Sequence, residues 1–350
     1  MNRMTLSLRA PARLHWSALG AVLMSAASVS ALAAEPAALI AAAKRSPAPP
    51  WPAGDERGMA NTLGPITTQR CAWHMAQPSA RVYEASQVRS NSMPKSPFAG
   101  PGGMQPKGTA GVPFSAHAFN SEVMQADAEP AQQGTQLDAL GHFARIKNPW
   151  DPKGAFPADE AVYYGGLTQK DVKPTPDSPL KKLGIEKVPA FVTRGVVLDM
   201  TAVVGRNPVP AGTPFNKKEI DDALAKQGIQ IKKGDVVLFH TGWQDMASKD
   251  AKAFSAGEPG LGKEGAEYLV SKEVVAIGAD QWGLEVVPFE KGVGVFEVHQ
   301  ILLPRNGVYI LENMNTAPLV ADRAWEFMFV LGHSRITGAV QAIINPVAIR

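Results

Sequence analysis

Four apolar runs punctuate the second half of the chain at regular intervals: FVTRGVVLDM (191–200), GDVVLFHTGW (234–243), VVAIGADQW (274–282) and GVYILENM (307–314). Each is rich in β-branched residues and bounded by Gly, Asp or Asn, the pattern of a buried strand. Between them lie NKKEIDDALAKQG (216–228) and GKEGAEYLVSKE (262–273), amphipathic at helical spacing. Asn216 and Gly228 are suited to cap the first of these helices. Alternation of strand and helix without a fixed-period repeat or a clean linker predicts one mixed α/β domain over residues 61–350.

The pattern weakens toward the N-terminus. Residues 97–113, PFAGPGGMQPKGTAGVP, carry too much Gly and Pro for regular structure and predict a long loop. Residues 35–60 pair a helical patch, PAALIAAAKRS, with the Pro-rich SPAPPWPAG, and predict a surface-hugging arm. Residues 1–34 follow the grammar of a secretory signal peptide: a positively charged start, an apolar run with small residues, and Ala31-Leu32-Ala33 as an A-x-A cleavage pattern. The absence of an Arg-Arg pair favours general secretion over the twin-arginine route, and the mature chain is expected to work in the periplasm or beyond.

Composition narrows the classes. With 350 residues, 45% hydrophobic, the chain can bury a large core. A net charge of +3 without a Lys/Arg run gives no footprint for nucleic acid, nor for a membrane once the signal is cleaved. A single cysteine, Cys71, rules out an intramolecular disulfide and is expected to be buried and inert. GLGKEG (260–265) matches a dinucleotide-binding glycine pattern but lacks a preceding strand, so it reads as a helix start.

Candidate chemistry concentrates in AQQGTQLDALGHF (131–143). If the segment is extended, Gln132, Gln136 and Asp138 share a face, and Gly134 leaves room for a ligand or another backbone. An exposed polar strand face is the alternative. His142 follows four residues after Asp138, where a turn can return it to the same pocket as a general acid/base; a structural histidine is the plainer possibility. Downstream, His299 and Glu312 flank an Asn-Gly turn, and a carboxylate ending the run YIL calls for compensation, which a metal ion with an imidazole co-ligand would give. A glutamate pointing into water is the alternative there. His117, His240 with Trp243 in FHTGW, and Asp280, Trp282 and Glu285 in GADQWGLE are lesser candidates.

In this order, Gln132-x-Gly134-Thr135-Gln136-x-Asp138 with His142, then RGVVLDM, KGDVVLFHTGW, AIGAD, His299 and LEN with Glu312, the chain resembles the cyclase family, which includes bacterial kynurenine formamidase and isatin hydrolase. The likeness runs from about residue 110 to the end. It implies a swivelling β/β/α domain with a mixed sheet or barrel-like core flanked by helices, usually a homodimer or homotetramer. It implies Asp138, His299 and Glu312 as metal ligands and His142 as general acid/base. Gln132 and Gln136 stand where the family has two histidines, matching a G-T-Q-x-D subgroup. Amide oxygens are weak ligands, so one divalent ion, Zn²⁺ or Mn²⁺, is expected at most. The resemblance points to hydrolysis of a small amide, cyclic amide or lactone, with substrate contacts from Gln132, Gln136, His117, His240 or Trp243. A metal-free binding protein and a cyclase or dehydratase on the same scaffold are the alternatives.

Overall fold

The four apolar runs become four neighbouring strands at the centre of one large sheet. A computed structural model describes residues 49–99, 103–109, 120–126, 132, 134–146, 157–175 and 177–350. Nine strands build the sheet: β1 (Val82–Glu84), β2 (Gln136–Asp138), β3 (Phe191–Asp199), β4 (Val236–His240), β5 (Ala276–Ala279), β6 (Tyr309–Glu312), β7 (Glu326–Leu331), β8 (Gln341–Ile343) and β9 (Val347–Ile349). Their order is β1-β9-β7-β3-β4-β5-β6-β2-β8, and the sheet curls into a half-barrel flanked by helices. Strands β3 to β6 run parallel, and every other pairing is antiparallel. Parallel strands covered on both faces are apolar throughout, which is why these runs showed no alternation.

The crossovers carry the expected helices. Helix α1 (Pro65–Met75) packs on β3 and β7. Helix α2 (Lys217–Gln227) is capped by Asn216, whose N–H donates to Glu219, and by Gly228 in the left-handed conformation at φ 67°. Helix α3 (Lys263–Ser271) begins inside GLGKEG, as expected of a helix start. A short helix α4 (Glu297–Gln300) runs into a π-helical turn, Ile301–Arg305.

At the amino ends of the parallel strands, Arg194 of β3 grips Asp235, with Nε 3.1 Å from Oδ1, and Arg70 of α1 donates to the Lys233 carbonyl at 2.8 Å. Cys71 on the same helix is buried, and burial pushes its thiol up to about 12, so it is inert. His74, one turn further on, is buried beside the chain terminus, with Nδ1 3.1 Å from an Arg350 guanidinium nitrogen.

Two expectations change. The loop over 97–113 is interrupted by a strand, Met104–Thr109, which pairs with Ser121–Ala126 in an exposed two-stranded ribbon. A ribbon has only edge strands, where Pro106 costs no ladder bond that the fold needs. Gly134 does not leave room for a ligand: its φ is +91°, and an added Cβ would stand 3.0 Å from Met93 Cε. The next residue, Thr135, donates its hydroxyl to the Asn313 carbonyl at 2.6 Å and accepts from Gln87 N at 2.9 Å. This knot seats β2 against the end of β6. Residues 1–34, the helical patch of the arm and His117 lie outside the described residues; from the remainder of the arm, Met59 and Ala60 enter the core.

Burial, with Arg350 and Arg194 adding repulsion, depresses the His74 imidazole from 6.5 to about 3. The unfolded chain then takes up this proton below pH 6.5 while the folded chain refuses it until about pH 3, so stability drains as pH falls through that window. Thermal denaturation should show a shallower loss between those pH values for His74→Gln than for the parent. Gly134→Ala should lower stability by about 1–2 kcal/mol in denaturant melts, the cost of a side chain in left-handed backbone.

Candidate active site

Three ligand-type side chains from distant parts of the chain meet at the carboxyl end of β6. Asp138 from β2, His299 from α4 and Glu312 from β6 offer ligand atoms that all lie within 4.8 Å of one another, and all three are buried. Register explains the meeting. In the antiparallel pairing of β2 with β6, Gln136 sits opposite Glu312; in that of β2 with β8, Gln341 sits opposite Asp138. Opposite residues share a face, and Gln136 and Asp138 alternate onto the same one.

Each group is held by a partner. His299 Nδ1 lies 3.1 Å from Glu285 Oε2, and Nε2 lies 3.5 Å from Glu312 Oε1. Gln136 donates its Nε2–H to Glu312 Oε2. Gln341 donates its Nε2–H to Asp138 Oδ1 at 2.7 Å, and the same nitrogen is 3.4 Å from His142 Nε2. Asp138 Oδ2 and Gln136 Oε1 are buried and make no hydrogen bond.

Electrostatics follow from burial. Removal from water raises the Glu312 carboxyl well above the usual carboxylate range, and the charge on Asp138 adds to the rise. Burial presses the His299 imidazole down, but the Glu285 and Glu312 carboxylates together carry it above its ordinary value. Glu258, fully buried, is raised by the same desolvation and by Glu312; its Oε2 accepts from Trp282 N at 2.9 Å.

The donor set fits a divalent ion. Two carboxylates and one imidazole converge, one carboxylate oxygen is buried without a donor, and Glu285 fixes the tautomer that turns His299 Nε2 inward. Among the described residues this is the one such group.

A cavity of about 220 Å³ opens beside it, lined by Ser96, Phe98, Gln132, His142, Phe143, Trp282, Gly283, Phe296, His299 and Glu312. Phe98, Phe143 and Phe296 contact one another or His299 with ring centroids 4.7–5.8 Å apart. A larger cavity of about 1220 Å³, around Trp51, Tyr163, Tyr164 and Arg305, shares no lining residue with it and holds no convergent ligand set.

Structure thus gathers Asp138, His299, Glu312, His142 and Gln132 about one cavity, with Gln136 behind Glu312. His240 and Trp243 stand outside its lining. His240 Nδ1 is 2.8 Å from Thr316 Oγ1 and 3.2 Å from Asp280, which leaves the imidazole raised although burial opposes it. Asp280 also accepts from Thr241 N and Gly242 N, so this network secures a turn. Trp243 packs in a satellite cluster with Phe254 behind Trp282, and only Trp282 faces the cavity. Gln341 and the three phenylalanines carried no signal of their own in the sequence; Glu285 was visible only as a strand-end carboxylate.

Comparison with known proteins gives the family and the fold. The profile of the family described as putative cyclase matches residues 65–286, more than half of the chain. A crystal structure described as a novel cyclase superposes with a TM-score of 0.72 at 25% identity, covering 86% of this chain and 98% of that one. Isatin hydrolase A from Ralstonia solanacearum shares the fold at a TM-score of 0.53 and 19% identity, over 79% of this chain and 95% of its own. An isatin hydrolase bound to the product analogue thioisatinate gives 0.51 and 18%, over 80% and 95%. No curated protein sequence matches. By its sequence profile, and with a fold to match, the chain belongs to the putative cyclase family.

Proposed function

We propose that this chain is a hydrolase that opens a small amide, cyclic amide or lactone with the help of one divalent ion, Zn²⁺ or Mn²⁺. The observation that carries the proposal is the buried Asp138–His299–Glu312 group, whose His299 and Glu312 line an aromatic-walled cavity, with Asp138 Oδ2 making no hydrogen bond. The likeness in fold to isatin hydrolases supports the class of reaction.

Asp138, His299 and Glu312 would hold the ion, which supplies Lewis acidity: it polarises a carbonyl and lowers the pKa of a water. Everything else falls to the protein. His142, on the cavity wall, takes a proton from the attacking water and returns it to the leaving nitrogen or oxygen. Gln132 on the same wall orients the substrate through its amide. Phe98, Phe143, Phe296 and Trp282 exclude water, which strengthens each polar contact inside. Glu285 keeps His299 aimed, since a carboxylate accepting from Nδ1–H leaves Nε2 as a donor to metal. The signal-like pattern of residues 1–34 favours a periplasmic or secreted protein, and the family resemblance favours a homodimer or homotetramer.

Metal analysis of the purified mature protein is the first test. One equivalent of Zn²⁺ or Mn²⁺ is expected, with a melting temperature that rises on adding the ion to chelator-treated protein. A chain that takes up neither ion, with no thermal shift, sinks the metal-dependent hydrolase and leaves a binding protein or a metal-free cyclase. His299→Ala should abolish the thermal shift. His142→Ala should keep it and lower hydrolysis of N-formyl amides, lactams or lactones by about 10²–10⁴-fold, the usual range for a general acid/base.

A further inference from the structure

The two glutamines that touch the ligand group do so in the same way, from opposite sides. Gln136 on β2 faces Glu312 on β6, and Gln341 on β8 faces Asp138 on β2. Across these three strands, amide and carboxylate alternate: each carboxylate has a glutamine directly opposite. In both pairs the amide Nε2 points at one carboxylate oxygen, Glu312 Oε2 in the first and Asp138 Oδ1 in the second. In both pairs the other oxygen is turned elsewhere: Glu312 Oε1 toward His299 Nε2, and Asp138 Oδ2 into a buried position with no hydrogen bond. Which end of each amide faces the carboxylate follows from chemistry, because an oxygen there would meet a second acceptor.

We propose that Gln136 and Gln341 are positioning residues, a pair of amide clamps that each tie down one oxygen of a ligand carboxylate and present the other to the ion. This rests on the metal-dependent reading above. A neutral donor is well suited here, since it fixes the rotamer of a buried carboxylate without cancelling the charge that draws a cation, as a lysine or arginine would. Gln136 therefore holds Glu312 and is not a replacement ligand for an absent imidazole. Gln341 has a second duty. Its Nε2, committed to Asp138, also lies 3.4 Å from His142 Nε2, close enough to set where that ring sits. It thereby links a metal ligand to the proton-transfer residue, so the two halves of the site are set by one side chain.

The two clamps predict different losses. Methionine keeps the length and burial of glutamine but donates nothing. Direct titration of chelator-treated Gln136→Met and Gln341→Met with Zn²⁺ and Mn²⁺ should show affinity weakened by about 10–100-fold, the range for groups that orient metal ligands. At saturating ion, Gln341→Met should also lose about tenfold in kcat with KM unchanged, the size of one missing hydrogen bond. If either methionine variant does not fold, Gln136→Asn or Gln341→Asn takes its place; a shorter amide is withdrawn from the carboxylate and must show the same weakening. A parent chain that binds no ion defeats the metal-dependent reading itself. A parent that binds, with folded variants that bind as tightly, overturns the clamps alone. So does an affinity loss that merely tracks a drop in the melting temperature of the ion-free variants, for that is a structural role.

Discussion

Asp138, Glu258, Glu285 and Glu312 are all shut away from water at the carboxyl end of the parallel strands, and the rest of the site exists to tolerate that. A buried carboxylate is costly unless it is protonated, paired or bound to a cation. The chain uses each remedy in part. Burial raises Glu258 and Glu312 toward the neutral acid, His299 stands between Glu285 and Glu312, and two glutamines donate to the ligand carboxylates. The opposite end of the same strands shows a carboxylate held by direct charge pairing, although burial still raises it. There Asp235 meets Arg194 in a two-pronged bond, with Arg70 nearby, and receives a backbone N–H from Lys232. Both oxygens of that carboxylate are taken by donors. The carboxylates around His299 are compensated only in part, and a partly compensated buried acid cluster beside a cavity is a candidate site.

Topology makes the cluster possible. The parallel run β3 to β6 brings strand ends together on one side, where α/β sheets place their ligands. Strand β2 then inserts antiparallel between β6 and β8, so its side chains project from the same face as Glu312. Thr135 and Gly134 seat that strand, and a one-residue slip would turn Gln136 and Asp138 to the other face together. The alignment of these side chains thus depends on a register set by a hydroxyl bond to Asn313, the residue after Glu312.

Much of this was legible in the chain itself, and the failures have physical reasons. Continuous apolar runs located β3 to β6 because strands covered on both faces leave no other pattern, and the caps of α2 stood at Asn216 and Gly228 as expected. The ribbon at Met104–Thr109 escaped because it buries nothing, so no hydrophobic pattern marks it and its Gly and Pro speak for a loop. Asp138, His299 and Glu312 were named through the family motif. Gln341 was out of reach, since its role arises from strand pairing across more than two hundred residues. His240 and Trp243 sat at a strand end with pocket-like neighbours, yet Thr316 and Asp280 take the imidazole and Trp243 packs into a satellite cluster with Phe254 and Trp282. A strand end tells where a site lies, and only the partners tell which side chains serve it.

The glutamines finally bear on how many ions the site can take. Asp138 and Glu312 present four carboxylate oxygens between them. Two accept amide N–H bonds from Gln341 and Gln136, which leaves two oxygens and the His299 Nε2 as protein donors. Three donors would suit a single ion with a position left for water or substrate, as proposed above. A second ion would have to take the clamped oxygens. Those oxygens keep a second lone pair, but the amide oxygens that would complete a second site are weak neutral ligands for Zn²⁺. On the proposed reading, Gln136 would thus serve as a support for the ligand group instead of a ligand, and Gln132 on the cavity wall would be left to meet the substrate.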